Sequence, residues 1–203
     1  MPLNSLIAGQ FAKPTGLMGR VVTSIMNSQN QPLYEETARH LSLSGSSMVL
    51  DIGCGNGYML NMLARRYSGM FSGIDISESI IRAASRRNRS FVRAGRMSFA
   101  VANAVCLPFE EAAFDRVFTV NTVYFWDDLY KTMAEIRRVL CPQGLFVNTL
   151  YTNETLARLS HTQHGYKRFF REQLVEAARR SGFEVSVVPV FDGKAYCVVC
   201  RAG

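Results

Sequence analysis

From Met48 onward, short apolar runs alternate along the chain with longer segments in which apolar residues recur at helical spacing. The short runs are typical of buried strands, and the periodic segments are typical of amphipathic helices. Strands that alternate with helices predict βαβ units built on a parallel sheet. On this basis seven strands are predicted, at residues 48–52, 69–76, 97–102, 113–120, 145–150, 183–191 and 195–200.

The two ends of the chain complete the predicted fold. Asp192-Gly193 is a strong turn signal between the last two strands, so the seventh strand is predicted to pair antiparallel. The predicted fold class is therefore α/β, a Rossmann-like doubly wound seven-stranded sheet with two N-terminal helices. These two helices are predicted from two apolar stripes, Leu17, Met18, Val21, Val22, Ile25 and Met26, and Leu33, Thr37, Ala38 and Leu41.

The chain length fits one domain. At 203 residues we expect a single domain over 1–203, with a core at 46–203 and an N-terminal helical lid or cap segment at 1–45. The stretch FAKPTGLMGR places two glycines in or near the first helix, which weakens it. Residues 1–45 are therefore either a mobile lid or a fixed part of the fold, and both readings stay open.

Composition excludes several classes of protein. Hydrophobic residues make up 48% of the chain, but no apolar run approaches the ~20 residues of a membrane span, and no signal-peptide pattern is expected. Cys197 and Cys200 are three apart on a predicted strand and so face opposite ways, which argues against a chelating or disulfide pair. Reduced cysteines favour a cytoplasmic protein. No His, Cys or Asp cluster has ligand spacing, so no metal is expected.

The net charge of +7 is unevenly distributed, because six arginines crowd the region after the second predicted strand. A basic stripe can mark an RNA or acidic partner, and a solvated helix face is the alternative. Only Phe91 interleaves the arginines, so no stacking platform is indicated. A nucleic acid partner is left open but is not favoured over a small-molecule acceptor. The six residues are Arg82, Arg86, Arg87, Arg89, Arg93 and Arg96.

The run VLDIGCGNGY carries the strongest functional signal. A buried strand leads into three glycines at alternate positions, Gly53, Gly55 and Gly57, and a helix is predicted from about Gly57. Glycine allows positive φ and lets a ligand lie against bare main chain. A strand, a glycine turn and a helix at the carboxyl edge of a parallel sheet form a nucleotide-type pocket. The third glycine comes one residue early for the dinucleotide pattern GxGxxG, and no Lys-Ser/Thr pair follows as a P-loop requires.

The glycine run resembles the (D/E)xGxGxG loop of class I S-adenosylmethionine (SAM)-dependent methyltransferases, and four later segments resemble the same family. Asn103 stands where the family usually has an acid, and Cys141 and Gln143 depart from the family turn RVLKPGG. The resemblance implies SAM as cofactor and S-adenosyl-L-homocysteine as product. The four later segments are GIDIS at 73–77, ANAVCLPFEEAAFDRV at 102–117, NTVYFW at 121–126 and RRVLCPQGLF at 137–146.

The resemblance implies cofactor roles for ten residues. The carboxylate of Asp75 would hold both ribose hydroxyls, although a helix-capping acid is the alternative. The amide oxygen of Asn103 would accept a hydrogen bond from the adenine amino group, and Asp51 would order the glycine loop or meet the ammonium of the ligand. The ten residues are Asp51, Gly53, Cys54, Gly55, Gly57, Asp75, Ile76, Asn103, Ala104 and Asn121.

Catalytic residues are harder to assign, because methyl transfer needs a base only if the acceptor must lose a proton. Tyr124, His161 and His164 are the candidates. Either histidine could act as the base, although a surface histidine is the commoner case. Tyr124, together with Phe125 and Trp126, is read either as a pocket-edge cluster that contacts the sulfonium or as a buried cluster that steadies its loop.

The predicted function is methyl transfer from SAM to a small-molecule acceptor. Methylation of RNA or protein is one alternative, motivated by the arginines, and a SAM-binding protein without turnover is another. A nicotinamide-dependent dehydrogenase is opposed by the spacing of the glycines.

Overall fold

The computed structural model describes residues 30–159, 162 and 166–203. The first predicted helix, at 17–26, lies outside the described residues, and so do residues 1–29 of the proposed lid. The second predicted helix is present as α1, over residues 30–41. Leu33, Thr37 and Leu41 are fully buried on one side of α1, as their spacing predicts.

The elements after α1 follow the predicted alternation. The strands are β1 Met48–Ile52, β2 Met70–Asp75, β3 Met97–Val101, β4 Phe114–Val120, β5 Leu140–Tyr151, β6 Phe183–Val190 and β7 Ala195–Ala202. The helices are α2 Tyr58–Arg66, α3 Glu78–Arg87, α4 Arg89–Arg93, α5 Leu129–Val139, α6 Asn153–Arg158 and α7 Arg171–Arg180, with a 3-10 turn at Val123–Phe125.

The seven strands form one sheet in the order β3-β2-β1-β4-β5-β7-β6. The five strands from β3 to β5 are parallel, and β7 is antiparallel to both of its neighbours. The predicted fold class, a Rossmann-like seven-stranded sheet with β7 antiparallel, is confirmed.

Helices cover both faces of the sheet, so the core is divided into two clusters. One cluster includes Met133 of α5 and Leu174 of α7, and the other includes Leu33 of α1 and Leu60 of α2. Cys200 lies in the first cluster and Cys197 in the second, so the prediction that they face opposite sides of a strand is confirmed. All five cysteines are free thiols.

One boundary prediction is wrong. The sequence Cys141-Pro142-Gln143-Gly144 predicts a turn and a strand that begins at Leu145, but β5 already begins at Leu140. Leu140 pairs with Phe114, and the register then shifts before Leu145 pairs with Arg116. Gln143, with φ 62°, accommodates this irregularity, so the turn signal marks a bulge within an extended segment.

Candidate functional site

The topology creates a cleft at one edge of the sheet. The chain leaves β1 for β2 on one side, and β4 pairs with β1 on the other. Connections that diverge from adjacent strands in this way leave a crevice outside their carboxyl ends, where ligands of open α/β sheets bind. The glycine run, Asp75 and Asn121 all follow the carboxyl ends of β1, β2 and β4, so the sheet brings them to this crevice.

The glycine loop has the backbone that the sequence predicts. Gly53, Gly55 and Gly57 have φ values of 76°, 52° and 69°, in the left-handed region that favours glycine. The backbone N–H groups of Gly53 and Cys54 both donate to the carbonyl oxygen of Ile74 at 2.9 Å, which fixes the start of the loop against β2. Helix α2 begins directly after Gly57, without a side-chain cap.

The three glycines differ in what a side chain would meet. A Cβ at Gly53 would lie 2.5 Å from Cγ2 of Thr122, and a Cβ at Gly57 would lie 2.5 Å from Nδ2 of Asn88. Nothing lies within 4 Å of a Cβ built at Gly55. The outer two glycines are therefore required by packing, whereas the middle one faces open space.

Two carboxylates flank this loop. Asp51 is buried, and its pKa is raised well above its ordinary value, first by burial and then by the charge of Asp75. Burial also raises the pKa of Asp75, although backbone N–H groups of Ser77, Gly55 and Ile76 oppose that shift. Two partly desolvated acids in one cleft favour a ligand that carries positive charge or hydroxyl donors.

Asp75 has a second role. Its Oδ1 accepts a hydrogen bond from the backbone N–H of Ser77 at 2.9 Å. Ser77 occupies the N-cap position of α3, but its side chain makes no capping hydrogen bond. Both readings of Asp75 therefore have support, because the carboxylate orders the start of α3 and still reaches the cleft. Ile76, directly after it, is 68% exposed.

The turn after β3 holds the other predicted cofactor residues. Asn103 is exposed, and its Oδ1 accepts a hydrogen bond from the backbone N–H of Val105 at 3.2 Å. The carbonyl oxygen of Asn103 also accepts from the N–H of Cys106 at 3.0 Å, and Ala104 is buried beneath the turn. The amide oxygen that was expected to bind adenine is thus also part of an Asx turn, which orients it.

Asn121 directly follows β4 and has φ 55°, a left-handed conformation that asparagine tolerates. Its Nδ2 donates to Oδ1 of Asn30 at 2.9 Å. Its Oδ1 accepts from the hydroxyl of Tyr124 at 3.2 Å and from the backbone N–H of Tyr151 at 3.3 Å. The side chain of Asn121 therefore connects α1, β5 and the 3-10 turn at the edge of the cleft.

Tyr124 is the one candidate catalytic residue that lies among the described residues. Tyr124 is only 1% exposed, its hydroxyl donates to Asn121 and to the carbonyl oxygen of Tyr151, and burial raises its pKa well above the ordinary value. Trp126 is also buried, whereas Phe125 is 36% exposed. The reading of Tyr124 and Trp126 as a buried cluster is therefore favoured over a pocket-edge role. His161 and His164 lie outside the described residues.

Sequence reasoning missed three polar residues on α1. The hydroxyl of Tyr58, at the start of α2, donates to Oε1 of Gln31 at 2.9 Å, and the rings of Tyr34 and Tyr58 are 5.9 Å apart. Burial raises the pKa of Tyr34 to about 12, with a smaller effect from the charge of Asp51. Asn30, Gln31 and Tyr34 form a wall next to Asp51 and the glycine loop. The apolar stripe of α1 was visible in the sequence, but no motif marked this polar wall.

The arginine cluster is partly engaged within the protein. A guanidinium nitrogen of Arg96 donates to the carbonyl oxygen of Tyr67, and its side chain lies over the ring of Phe91 at 5.5 Å. Arg87 lies over the ring of Tyr58 at 5.7 Å, and Arg82 pairs with Glu78. These contacts favour the reading of a helix face over that of a nucleic acid platform.

The part of the chain that the structure describes has neither a candidate metal site nor a candidate membrane-spanning helix. It contains no group of three or more His, Cys, Asp and Glu side chains that could hold a metal ion. None of its helices has the length and apolar character needed to cross a membrane.

Comparison with known proteins gives a consistent family. Residues 50–148 match the model of a methyltransferase domain. The chain is 31% identical over 167 residues to the O-methyltransferase resE of Aspergillus sclerotiorum, covering 79% of this chain but 63% of that protein. It is 29% identical over 161 residues to YdaC of Bacillus subtilis, an uncharacterized methyltransferase, covering 79% of this chain and 84% of that protein.

A solved structure shows the same fold. The geranyl diphosphate C-methyltransferase of Streptomyces coelicolor A3(2), in complex with Mg²⁺, geranyl diphosphate and S-adenosyl-L-homocysteine, superposes with a TM-score of 0.72 at 17% sequence identity. The match covers 85% of this chain and 80% of that one.

Proposed function

This chain belongs to the class I SAM-dependent methyltransferase family, and we propose that it transfers a methyl group from SAM to a small-molecule acceptor. The observation that carries the proposal is the environment of Gly55. Its neighbours Gly53 and Gly57 are packed against side chains, whereas a Cβ at Gly55 would meet nothing within 4 Å. Packing does not require a glycine at position 55, although the backbone conformation there favours one. Such a position fits a loop that a ligand approaches closely.

The residues around Gly55 fit the chemical groups of SAM. Asp75 offers carboxylate oxygens to a pair of ribose hydroxyls. The exposed side chain of Ile76 offers an apolar surface to a flat base next to that ribose. Asn103, held in its Asx turn, would meet the adenine end, and Asp51 and Asn121 would meet the methionine end. A cationic ligand also offsets the cost of two buried acids in one cleft.

When bound, SAM supplies a methyl group on a sulfonium cation, which is already activated for displacement. The acceptor's nucleophilic atom forms a bond to the methyl carbon as the bond from that carbon to sulfur breaks. The protein therefore has to align the acceptor and exclude water. The 3-10 turn at Val123–Phe125 is next to the glycine loop, because Thr122 contacts Gly53 and its hydroxyl donates to the carbonyl oxygen of Ile52 at 3.2 Å. This turn is where the acceptor would be aligned.

Two observations support a small-molecule acceptor. The O-methyltransferase resE is among the relatives. Arg82, Arg87 and Arg96 are engaged within the protein, which leaves less of the basic surface for phosphates.

The five free thiols support a reducing compartment such as the cytoplasm as the place of the reaction.

The test is a transfer assay with SAM labelled in its methyl group and three acceptor pools: small phenols, acids and amines; total RNA; and denatured protein. We expect label in the small-molecule pool. In the Asp75→Ala variant, transfer at low SAM should fall about ten- to a hundredfold, because hydrogen bonds to a charged group contribute ~1.5–3 kcal/mol. Label confined to RNA or protein would select that alternative acceptor, and SAM binding without any transfer would favour a protein without turnover.

A further inference from the structure

Two exposed phenylalanines and a half-buried tyrosine lie beside the cleft. Phe125 is 36% exposed and Phe170 is 64% exposed, and they are the two phenylalanines among the exposed large apolar residues that the structure describes. Tyr166 lies between them in sequence, and its ring centroid is 4.7 Å from that of Phe125 in an edge-to-face arrangement. We call Phe125, Tyr166 and Phe170 the aromatic rim.

The topology places the aromatic rim at the carboxyl edge of the sheet. Phe125 follows the end of β4, and Tyr166 lies in the connection that follows β5 and α6. Phe170 is the N-cap residue of α7. Because α7 leads into β6, and β6 runs parallel to β5, the N-terminus of α7 lies at the same edge as the ends of β4 and β5. All three residues therefore lie at the edge of the sheet that holds the cleft.

The aromatic rim is fixed in place. The backbone N–H of Lys167 donates to the carbonyl oxygen of Tyr124 at 3.1 Å, and its Nζ donates to that of Trp126 at 2.6 Å. Nδ2 of Asn153 donates to the carbonyl oxygen of Phe169 at 3.1 Å. These contacts bind the segment of Tyr166 to the turn that carries Phe125. Exposed aromatic rings on an anchored segment are a preformed binding surface, which lowers the ordering cost of association.

The aromatic rim is also uncharged. The tyrosine hydroxyl is neutral at physiological pH, and burial raises the pKa of Tyr166 further, to about 12. The two cations of the segment are engaged with main-chain oxygens, since Lys167 contacts Trp126 and Arg168 donates to the carbonyl oxygens of Asn153 and Thr162 at 3.3 Å each. The side chain of Tyr124 packs behind the rim, with its ring 5.5 Å from that of Tyr166.

From this surface we infer that the acceptor is a neutral molecule with a flat aromatic ring system, which packs against Phe125 and Tyr166 with Phe170 as its outer wall. The inference rests on the proposed function and names the substrate class of the same site. Aromatic rings favour other aromatic rings over saturated groups of similar size, through edge-to-face and offset contacts. Phe125 lies three residues after Thr122, the residue that contacts the glycine loop, so such an acceptor lies next to the methyl donor.

The test compares two alcohols with one carbon skeleton, 2-naphthol and decahydro-2-naphthol, binding to the protein saturated with S-adenosyl-L-homocysteine. We expect the wild type to bind 2-naphthol about tenfold more tightly than its saturated counterpart. Phe125→Leu and Phe170→Leu should each reduce that ratio and leave the affinity for S-adenosyl-L-homocysteine unchanged. Met70→Leu is the matched control, since Met70 is an exposed apolar side chain at the start of β2, on the opposite edge, and it should leave the ratio unchanged.

Several results would overturn the inference and leave the proposed function standing. One is equal affinity for the two alcohols, and another is a preference for 2-naphthol that both leucine variants retain. A third is no binding of either alcohol up to the millimolar range. The last is self-association of the protein that Phe170→Ser abolishes. Failure of S-adenosyl-L-homocysteine to bind the wild type would instead contradict the proposed function, and the inference with it.

Discussion

Oδ1 of Asn30 accepts a hydrogen bond from Nδ2 of Asn121 at 2.9 Å and so joins two residues that are 91 positions apart in the sequence. Asn121 is the predicted cofactor residue at the end of β4, and Asn30 lies on the helix that precedes the core. Helix α1 is therefore a wall of the proposed cofactor cleft.

This relationship predicts a role for Asn30 in cofactor binding. Asn30→Ala should raise the Kd for SAM severalfold and lower the free energy of unfolding by about 1 kcal/mol, because one hydrogen bond that orients Asn121 is lost. Calorimetry and urea denaturation measure the two effects. Arg39→Ala, on the exposed side of the same helix, should change neither, since its ion pair with Glu36 is at the surface. Equal losses in both variants would mean that α1 acts only through its fold.

The glycine loop offers a comparison of two matched positions. Gly55 and Gly95 have φ values of 52° and 69°, and a Cβ would meet nothing within 4 Å at either. Alanine at either position should lower the free energy of unfolding by about 1–2 kcal/mol through backbone strain. Only Gly55→Ala should also weaken SAM, by tenfold or more, because its Cβ projects into the cleft. A normal Kd for SAM in Gly55→Ala would place the ligand elsewhere.

Asp51 predicts a dependence of stability on pH. Its folded pKa is raised well above the ordinary 3.8, so between these two values the folded protein binds a proton that the unfolded chain has lost. The free energy of unfolding of the ligand-free protein therefore falls as pH rises through that window. Asp51→Asn should flatten this dependence, raise Tm at neutral pH and weaken SAM.

Thermal unfolding across a pH series checks this, with Asp192→Asn in the exposed turn between β6 and β7 as control. A lower Tm for Asp51→Asn at neutral pH would mean that the charge of Asp51 stabilises the empty protein.

Asn148 is a fully buried amide in β5, and neither its Nδ2 nor its Oδ1 has a hydrogen-bond partner among the described residues. Asn148→Leu removes that desolvation cost at similar volume and should raise the free energy of unfolding by about 1 kcal/mol. Thr149→Val is the matched control and should be destabilising, because the Thr149 hydroxyl has partners in Thr37 at 2.7 Å and Cys197 at 3.2 Å. Denaturation in urea measures both. Destabilisation by Asn148→Leu would show that the amide is satisfied in solution.

Much of the fold could be predicted, because local signals and tertiary structure agree. From β1 to β4 the predicted strands match the observed ones to within one residue at each end, since each apolar run is bounded by polar or turn residues. The start of β5 could not be predicted. Pro142 and Gly144 signal a turn locally, but pairing of Leu140 with Phe114 keeps the segment extended, and that pairing is a long-range effect.

The candidate site was predictable where a backbone motif determines it. Gly53, Gly55 and Gly57 have the predicted positive φ, and strand order places Asp75 at the same edge of the sheet as these glycines. The wall formed by Asn30, Gln31 and Tyr34 was missed. Polar residues on a helix look alike in the sequence whether they face solvent or a cleft, and only the packing of the helix against the sheet decides between the two. The burial of Tyr124 was open for the same reason, because an aromatic cluster at a strand end packs inward or outward according to its neighbours.

The central claim, that the glycine loop and the two acids hold SAM, is tested most directly by calorimetric titration of the purified protein with SAM, S-adenosyl-L-homocysteine and NAD. We predict that SAM and S-adenosyl-L-homocysteine bind with Kd values in the micromolar range and that NAD gives no binding heat. Binding of NAD without binding of SAM would contradict the account.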